Sequence, residues 1–157
     1  MTATTKLRWG IIGPGAIAKA FTAGIAQSRN SLLTAIGTRD PARPGLAEAF
    51  PGARIHAGYQ ALLDDPEVDA VYLATPHPQH AEWAIKAAEA GKHILVEKPL
   101  TLSAFDTDAV FHAHRKAGTF AGEAFMYRLH PATKKLGELV SSGAIGEIRM
   151  IQSSFGF

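Results

Sequence analysis

The hydrophobic positions of this chain form short apolar runs, separated by stretches in which apolar residues recur every three or four positions. Short runs are typical of buried strands, and the longer period is typical of helices that bury one face. The runs predict strands at residues 7–12, 31–37, 54–57, 68–75, 93–96 and 119–121. The period predicts helices or helical turns at residues 16–27, 44–50, 60–63, 79–90 and 103–116. This alternation indicates a doubly wound, parallel α/β sheet with right-handed crossovers.

Capping residues mark several helix boundaries. Ser103 followed by Asp106 predicts the start of a helix, because a serine side chain can accept a hydrogen bond from a main-chain N–H of the first turn. Gly91 and Gly118 predict helix ends, since glycine readily adopts the left-handed conformation of a C-terminal cap.

The first predicted strand leads into a glycine-rich turn, and Ala18 follows the second glycine at a distance of three residues. The first glycine can adopt the backbone angles of a sharp turn, and the second leaves room for phosphate oxygens beside the main chain. The small Ala18 lets the next helix pack closely on the strand, and the N–H groups at its start attract an anion. A dinucleotide pyrophosphate is therefore predicted to bind at these residues: Gly13, Pro14, Gly15, Ala16 and Ile17.

The residues after the second predicted strand favour NADP over NAD. NAD enzymes place an acidic side chain here, which accepts hydrogen bonds from the ribose hydroxyls. This chain has Thr38 and Arg39, and a hydroxyl with a guanidinium suits a 2′-phosphate. Asp40 is acidic, but its place before Pro41 fits an N-cap of the next helix. NADP is the predicted cofactor, and NAD is the less favoured one.

Composition argues against nucleic-acid binding, thiolate chemistry and membrane insertion. The 157 residues are 46% hydrophobic and 19% charged, which is typical of a globular domain with a core. Sixteen basic and 14 acidic residues leave a net charge of +2 without a basic cluster, so no nucleic-acid partner is expected. The absence of cysteine excludes disulfides and thiolate ligands. No apolar segment is long enough for a signal core or a membrane span, so a cytoplasmic protein is expected.

Three motifs together resemble the Gfo/Idh/MocA oxidoreductases, the group of glucose–fructose oxidoreductase and inositol dehydrogenase. They are the turn IIGPGAIA, the segment from YQALLDDPEVDAVYLATPHPQH to AGKHILVEKPL, and the phrase GEAFMYRLHP. The last phrase is most similar to NADP-dependent xylose dehydrogenases and dimeric dihydrodiol dehydrogenases. The resemblance extends from Leu7 nearly to the end of the chain. It implies a Rossmann domain, followed by an open-faced, mostly antiparallel sheet that carries substrate and makes oligomer contacts.

The resemblance also implies a domain boundary. Residues 1–122 are expected to form the Rossmann domain, and residues 123–157 the crossover helix and first strand of a truncated second α+β domain. The pattern of hydrophobic positions agrees with this second domain, since it predicts a helix at 131–142, a turn at 143–146 and the start of a strand at 147–157. An apolar strand needs a neighbour. We therefore expect this one to pair with another chain or, preferably, to belong to a longer protein that forms a homo-oligomer.

Lys98 is the predicted catalytic residue. It follows the carboxyl end of a parallel strand, where ligands bind in open α/β sheets. Hydride transfer at an alcohol carbon requires a proton to move on the oxygen, and an amine can perform that transfer. The resemblance implies that Lys98 moves this proton or anchors the hydroxyl beside the cofactor. Pro99 would fix the loop, and Glu97 would orient Lys98 or bind the nicotinamide ribose, unless it is simply a solvated carboxylate.

Further site residues are implied by the resemblance alone. Thr75 and Pro76 would line the cofactor, and His80 would face inward near the start of the next helix. Arg128 would reach toward the nicotinamide side of the cofactor, and Tyr127 would line the substrate pocket.

A metal site is not predicted. His77 stands where the family usually has asparagine, and His77 with His80 lacks a nearby third ligand.

These observations predict an NADP-dependent oxidoreductase. It would transfer a hydride between nicotinamide and a hydroxyl of a sugar or polyol, or the matching carbonyl. Two alternatives stay open. A redox-neutral relative, such as an NAD-dependent glycosidase, would recycle its cofactor within each turnover. A non-catalytic dinucleotide-binding domain would need no substrate, although the retained Lys98 argues against it.

Overall fold

Six parallel strands form one sheet in the computed structural model, which describes residues 6–154 and 156. The strands are β1 (Leu7–Ile12), β2 (Ser31–Thr38), β3 (Arg54–Ala57), β4 (Ala70–Leu73), β5 (His93–Val96) and β6 (Ala121–Glu123). Their order is β3-β2-β1-β4-β5-β6. The chain therefore changes direction across the sheet between β1 and β4, which is the topological switch of a doubly wound fold. The predicted parallel α/β class is confirmed.

Helices connect successive strands. They are α1 (Ala16–Ala26), α2 (Leu46–Ala49), α3 (Tyr59–Leu63), α4 (His80–Glu89) and α5 (Ala104–Ala117). The start of α5 is capped as predicted, because the Asp106 main-chain N–H donates to Ser103 Oγ at 3.1 Å. The same helix ends at Gly118, which has a φ of +70°.

Both faces of the sheet are covered by helices, and each face has its own apolar cluster. Ile11 of β1 packs with Ala18 of α1 and Leu46 of α2. The next residue, Ile12, packs with Ala84 of α4 and Val110 of α5 on the opposite face. Side chains alternate between the faces of a strand, so burial on both faces explains the nearly continuous apolar runs in the sequence.

Three predicted strands have different bounds in the structure. β2 ends at Thr38 instead of 37, β4 ends at Leu73 instead of 75, and β6 ends at Glu123 instead of 121. β4 begins at Ala70 instead of 68, since the Val68 N–H donates to the Asp65 carbonyl in the turn after α3. β6 begins at Ala121 instead of 119. Thr119 follows the Gly118 cap of α5, and its N–H donates to the His114 carbonyl of that helix at 3.0 Å instead of to a neighbouring strand.

The loop after β2 also differs from its prediction. Asp40 is not a helix N-cap: α2 begins at Leu46, and Gly45 is its N-cap. The physical reason lies in Pro41 and Pro44, which donate no N–H and disfavour helical angles in the residue before them.

The chain divides into two compact units, Met1–Ala124 and Phe125–Phe157. The second contains a short 3-10 helix at Met126–Leu129 and the helix α6 (Pro131–Ser141). The predicted strand at 147–157 is wrong for its described part, because residues 147–154 form no strand. A strand requires main-chain hydrogen bonds to a neighbouring strand. The described residues of the second unit contain no other strand with which residues 147–154 could pair. Residues 155 and 157 lie outside the described residues.

Within residues 6–154 and 156, no helix is both long enough and apolar enough to cross a membrane.

Candidate functional site

The carboxyl ends of the parallel strands meet at one edge of the sheet, and the loops that leave this edge carry most of the predicted site residues. Gly13 follows β1, Thr38 ends β2, Thr75 lies two residues after β4, and Lys98 lies two residues after β5. The topological switch between β1 and β4 lies at the same edge. In open α/β sheets this is the crevice that accepts ligands.

Gly13 is required by the fold. Its φ is +85°, a backbone conformation that residues with a side chain rarely adopt. A Cβ atom at this position would lie 2.8 Å from the Ala74 carbonyl oxygen, which belongs to the main chain that follows β4. The turn after β1 therefore passes close to the end of β4, and only glycine permits that approach.

Gly15 is not required by the fold. It is the N-cap of α1, with an extended φ of −89° and ψ of −166°. Apart from Gly15 itself and its two chain neighbours, no heavy atom of residues 6–154 and 156 would lie within 4 Å of a Cβ atom here. The space above the Gly15 main chain is therefore open at the start of a helix, where N–H groups and the helix dipole favour an anion.

Two cationic side chains lie at the same opening. Lys19 and Arg43 line a cavity of about 300 Å³ together with the glycine-rich turn. Arg43 Nη2 donates to the Pro14 carbonyl at 2.7 Å, which holds the guanidinium against the turn. No described side chain caps the N-terminus of α1. The cavity thus combines a helix N-terminus with positive charge.

Arg43 was not predicted as a site residue. A second arginine four positions after Arg39 was the available signal. Its contact with Pro14 spans 29 residues and could not be inferred from spacing.

Thr38 and Arg39 have different surroundings. Thr38 is buried, and its Oγ1 accepts a hydrogen bond from the Asp40 N–H at 3.2 Å. Arg39 is exposed and lines a second cavity, of about 500 Å³, with Gln79 and Trp83. The structure therefore brings Arg43, and not Arg39, to the cavity beside Gly15.

His80 joins the loops that follow β4 and β5. The side chain is fully buried, Nε2 lies 2.9 Å from the Thr75 carbonyl oxygen, and Nδ1 lies 2.8 Å from the Pro99 carbonyl oxygen. Carbonyl oxygens only accept hydrogen bonds, so the ring satisfies both contacts when both nitrogens carry protons. His80 therefore contacts protein on both sides. Thr75 Oγ1 is buried without a hydrogen-bond partner in the described part of the chain.

Glu97 is held by two hydrogen bonds at the end of β5. Its Oε1 accepts from the Tyr72 hydroxyl, and its Oε2 accepts from the Lys98 N–H at 3.2 Å. Burial, and then the hydrogen bond to Glu97, raise the pKa of Tyr72 above its usual range, so the phenol keeps its proton and donates it. The Lys98 side chain is exposed and makes no ion pair with any described residue.

Tyr127 and Arg128 lie in the second unit, on the 3-10 helix Met126–Leu129. Both side chains are exposed, and the Tyr127 ring lies 6.2 Å from the Phe125 ring between centroids. Their roles toward cofactor and substrate stay predictions.

His77 and His80 pack edge to face, with ring centroids 5.5 Å apart. Nowhere in residues 6–154 and 156 do three or more His, Cys, Asp or Glu side chains form a group that could hold a metal ion.

Comparison with known proteins gives concordant matches. The family model described as "Oxidoreductase family, NAD-binding Rossmann fold" matches residues 7–125. D-xylose 1-dehydrogenase (NADP(+)) 2 from Haloferax volcanii is 40% identical over 152 residues, which are 96% of this chain and 46% of that protein. Trans-1,2-dihydrobenzene-1,2-diol dehydrogenase from Mus musculus is 35% identical over 154 residues, again 96% of this chain and 46% of that protein.

A solved structure agrees with these sequence matches. The crystal structure of a 3-ketoreductase from Actinomadura kijaniata in complex with NADP matches with a TM-score of 0.84 and 37% identity. The match covers 92% of this chain and 47% of that one. The chain therefore spans about half the length of the relatives that it matches.

Proposed function

The chain belongs to the Gfo/Idh/MocA oxidoreductases, as its motifs predicted, and we propose that it binds NADP(H) at the carboxyl edge of its sheet for hydride transfer on a sugar-related substrate. The observation that carries this proposal is the open space at Gly15. The fold does not need glycine there, but a phosphate group approaching the start of α1 does.

The residues around this space fit a pyrophosphate. The N–H groups of Ala16 and Ile17 lie at the start of α1 without a side-chain cap from the described residues. Lys19 and Arg43 add positive charge on the lining of the same cavity. An anion here would gain charge-assisted hydrogen bonds as well as the helix dipole.

The preference for NADP over NAD rests on the loop after β2. Neither Thr38 nor Arg39 supplies the carboxylate that reads the ribose hydroxyls of NAD. Arg39 supplies a guanidinium group instead, which suits a 2′-phosphate. The relatives support this preference, because the xylose dehydrogenase is named for NADP and the ketoreductase was crystallised with it.

Lys98 is proposed to move the proton of the reaction. The nicotinamide ring, when bound, supplies the acceptor or donor of the hydride. In the oxidative direction the substrate hydroxyl gives its proton to the neutral Nζ of Lys98, which leaves a carbonyl and an ammonium. In the reductive direction the ammonium returns that proton to the substrate oxygen. The Lys98 side chain is exposed and forms no ion pair within residues 6–154 and 156, which is compatible with both steps.

Other residues are assigned to lining and positioning. Thr75 and Pro76 are proposed to line the cofactor, and His80 to hold their loop against the loop of Lys98. A sugar or polyol substrate is proposed from the names of the relatives, which are dehydrogenases and reductases. The substrate role of Tyr127 and the cofactor role of Arg128 remain part of this proposal.

Titration with NADPH and NADH tests the cofactor assignment directly. We expect the chain to bind NADPH more tightly than NADH, and Arg39→Ala to weaken NADPH binding about tenfold or more while NADH binding changes little. Arg29→Ala is the matched control, because Arg29 is exposed before β2 at the opposite edge of the sheet. Equal weakening of both nucleotides in Arg39→Ala, or no binding of either by the folded protein, would refute the assignment.

A further inference from the structure

We propose that Tyr72 is a positioning residue for Lys98: its hydroxyl holds the Glu97 carboxylate and keeps that carboxylate from pairing with the Lys98 amine. The inference rests on the proposed role of Lys98 in proton transfer. Tyr72 touches neither substrate nor cofactor in this scheme, and it acts through Glu97.

Packing fixes the direction of the Tyr72 side chain. The residue lies in β4 and is only 2% exposed. Its ring stacks on Phe21 of α1, with centroids 3.9 Å apart and an interplanar angle of 11°. Phe21 in turn packs edge to face with Trp9 of β1, with ring centroids 5.2 Å apart. The phenol therefore has one direction in which its hydroxyl can point.

The register of the sheet places Glu97 in that direction. Tyr72 lies opposite Leu95 in the pairing of β4 with β5. Glu97 comes two residues after Leu95, so its side chain leaves the same face of the sheet. The Glu97 N–H donates to the Leu73 carbonyl at 2.9 Å, which continues the pairing to this residue. The hydroxyl of Tyr72 thus meets Glu97 Oε1 across adjacent strands.

The carboxylate of Glu97 is occupied on both oxygens although it adjoins a lysine. Oε1 accepts from Tyr72, and Oε2 accepts from the main-chain N–H of Lys98. The Nζ of Lys98 forms no ion pair with the described residues, Glu97 included. Without the hydroxyl, a half-buried carboxylate would take the nearest alternative donor, and the adjacent ammonium is the one that the sequence supplies. An ammonium in an ion pair gives up its proton less readily.

The test measures how readily the Lys98 amine reacts with acetic anhydride at one alkaline pH, quantified by mass spectrometry of its peptide, in the 157-residue chain. Only the neutral amine is acylated. An ion pair with a carboxylate favours the protonated amine, so it slows the reaction. We expect Tyr72→Phe, which keeps the aromatic stack, to slow acylation of Lys98 about threefold, the effect of one exposed ion pair. Acylation of the exposed Lys116 in the same sample is the internal reference and should not change.

A double variant shows whether Tyr72 acts through Glu97. In Tyr72→Phe/Glu97→Gln the carboxylate is gone, so the acylation rate should return to that of the parent chain. Thr34→Val is the matched control, because it removes a hydroxyl that donates to the Trp9 carbonyl at 3.0 Å in the same sheet. The proposal is overturned if Tyr72→Phe is folded and Lys98 reacts at the parent rate, or if the double variant stays slow.

Glu97→Gln alone keeps the proposal testable even if Tyr72→Phe fails to fold. The hydroxyl already holds the carboxylate away from the amine, so neutralising Glu97 should leave the acylation rate of Lys98 within about 1.5-fold of the parent. A severalfold faster reaction would mean that Glu97 already pairs with the amine, which contradicts the proposal. None of these measurements uses a nucleotide, so their failure is distinct from a failure of NADPH to bind.

Discussion

Alanine substitutions at Gly13 and Gly15 are expected to have opposite consequences, although the two residues belong to the same turn. Gly13 has a positive φ of +85°, and its missing Cβ would meet the Ala74 carbonyl oxygen at 2.8 Å. Gly15 has a φ of −89°, and apart from its chain neighbours no described residue lies within 4 Å of its missing Cβ. The first substitution therefore disturbs the fold, and the second fills a space that the fold leaves open.

The magnitudes follow from these geometries. A left-handed conformation costs alanine roughly 1–2 kcal/mol relative to its preferred angles. Overpacking against main-chain atoms, which cannot rotate away, adds about 1–3 kcal/mol. Gly13→Ala should thus lower the free energy of unfolding by about 2–5 kcal/mol. Gly15→Ala adopts its extended angles without strain and should change it by less than about 1 kcal/mol, in the stabilising direction, because alanine restricts the unfolded chain.

Urea unfolding followed by circular dichroism measures the free energy of unfolding, and fluorescence titration measures the affinity for NADPH. Gly15→Ala should keep its stability and bind NADPH at least about tenfold more weakly, because the new Cβ occupies the place of a phosphate oxygen. Gly24→Ala is the matched control in α1, because nothing described outside its own stretch of the helix lies within 4 Å of its missing Cβ. It should gain about 1 kcal/mol of stability without a change in affinity for NADPH.

Two results would refute this reasoning. A loss of stability in Gly15→Ala comparable to that in Gly13→Ala would mean that the turn is not built as described. Unchanged NADPH affinity in a folded Gly15→Ala would mean that the phosphates bind elsewhere.

Three further predictions concern stability, loop geometry and chemistry. Burial raises the pKa of Asp65, but hydrogen bonds from Arg54, the Glu67 N–H and His56 outweigh it and lower that pKa from 3.8 to about 2. The carboxylate therefore stabilises the fold fully above about pH 4, and about 1–2 kcal/mol of the free energy of unfolding should be lost as the pH falls toward 2. Unfolding curves measured over this pH range should show a smaller loss for Asp65→Asn. His80→Ala removes a fully buried ring and both of its carbonyl contacts, so urea unfolding should show a loss of about 3 kcal/mol. A loss below about 1 kcal/mol would contradict the role of His80 in joining the loops after β4 and β5. Lys98→Met should retain NADPH binding in titration and abolish turnover by the intact protein, and retained turnover would exclude its proposed role.

The elements of the first unit were largely predictable because their signals are local. Apolar runs identified all of the strands in the sheet, and the spacing of Gly13, Gly15 and Ala18 identified the turn before α1. Where a boundary depended on a competing contact, the pattern was insufficient. The pattern places Thr119 in a strand, but its main-chain N–H instead bonds the His114 carbonyl, just beyond the Gly118 cap of α5. Residues 147–154 have a strand pattern, but a strand also needs a hydrogen-bonded neighbour, which no pattern within the segment can supply.

The sequence by itself determined the succession of strands and helices along the chain, the glycine-rich turn and the family. Each of these depends on residues that are close together along the chain. Only the tertiary structure decided which side chains meet at the edge of the sheet. Arg43 contacts the turn at Pro14 from 29 residues away, and Tyr72 reaches Glu97 across 25 residues. Such contacts depend on strand register and helix packing, which place distant residues side by side, and no spacing along the chain records them.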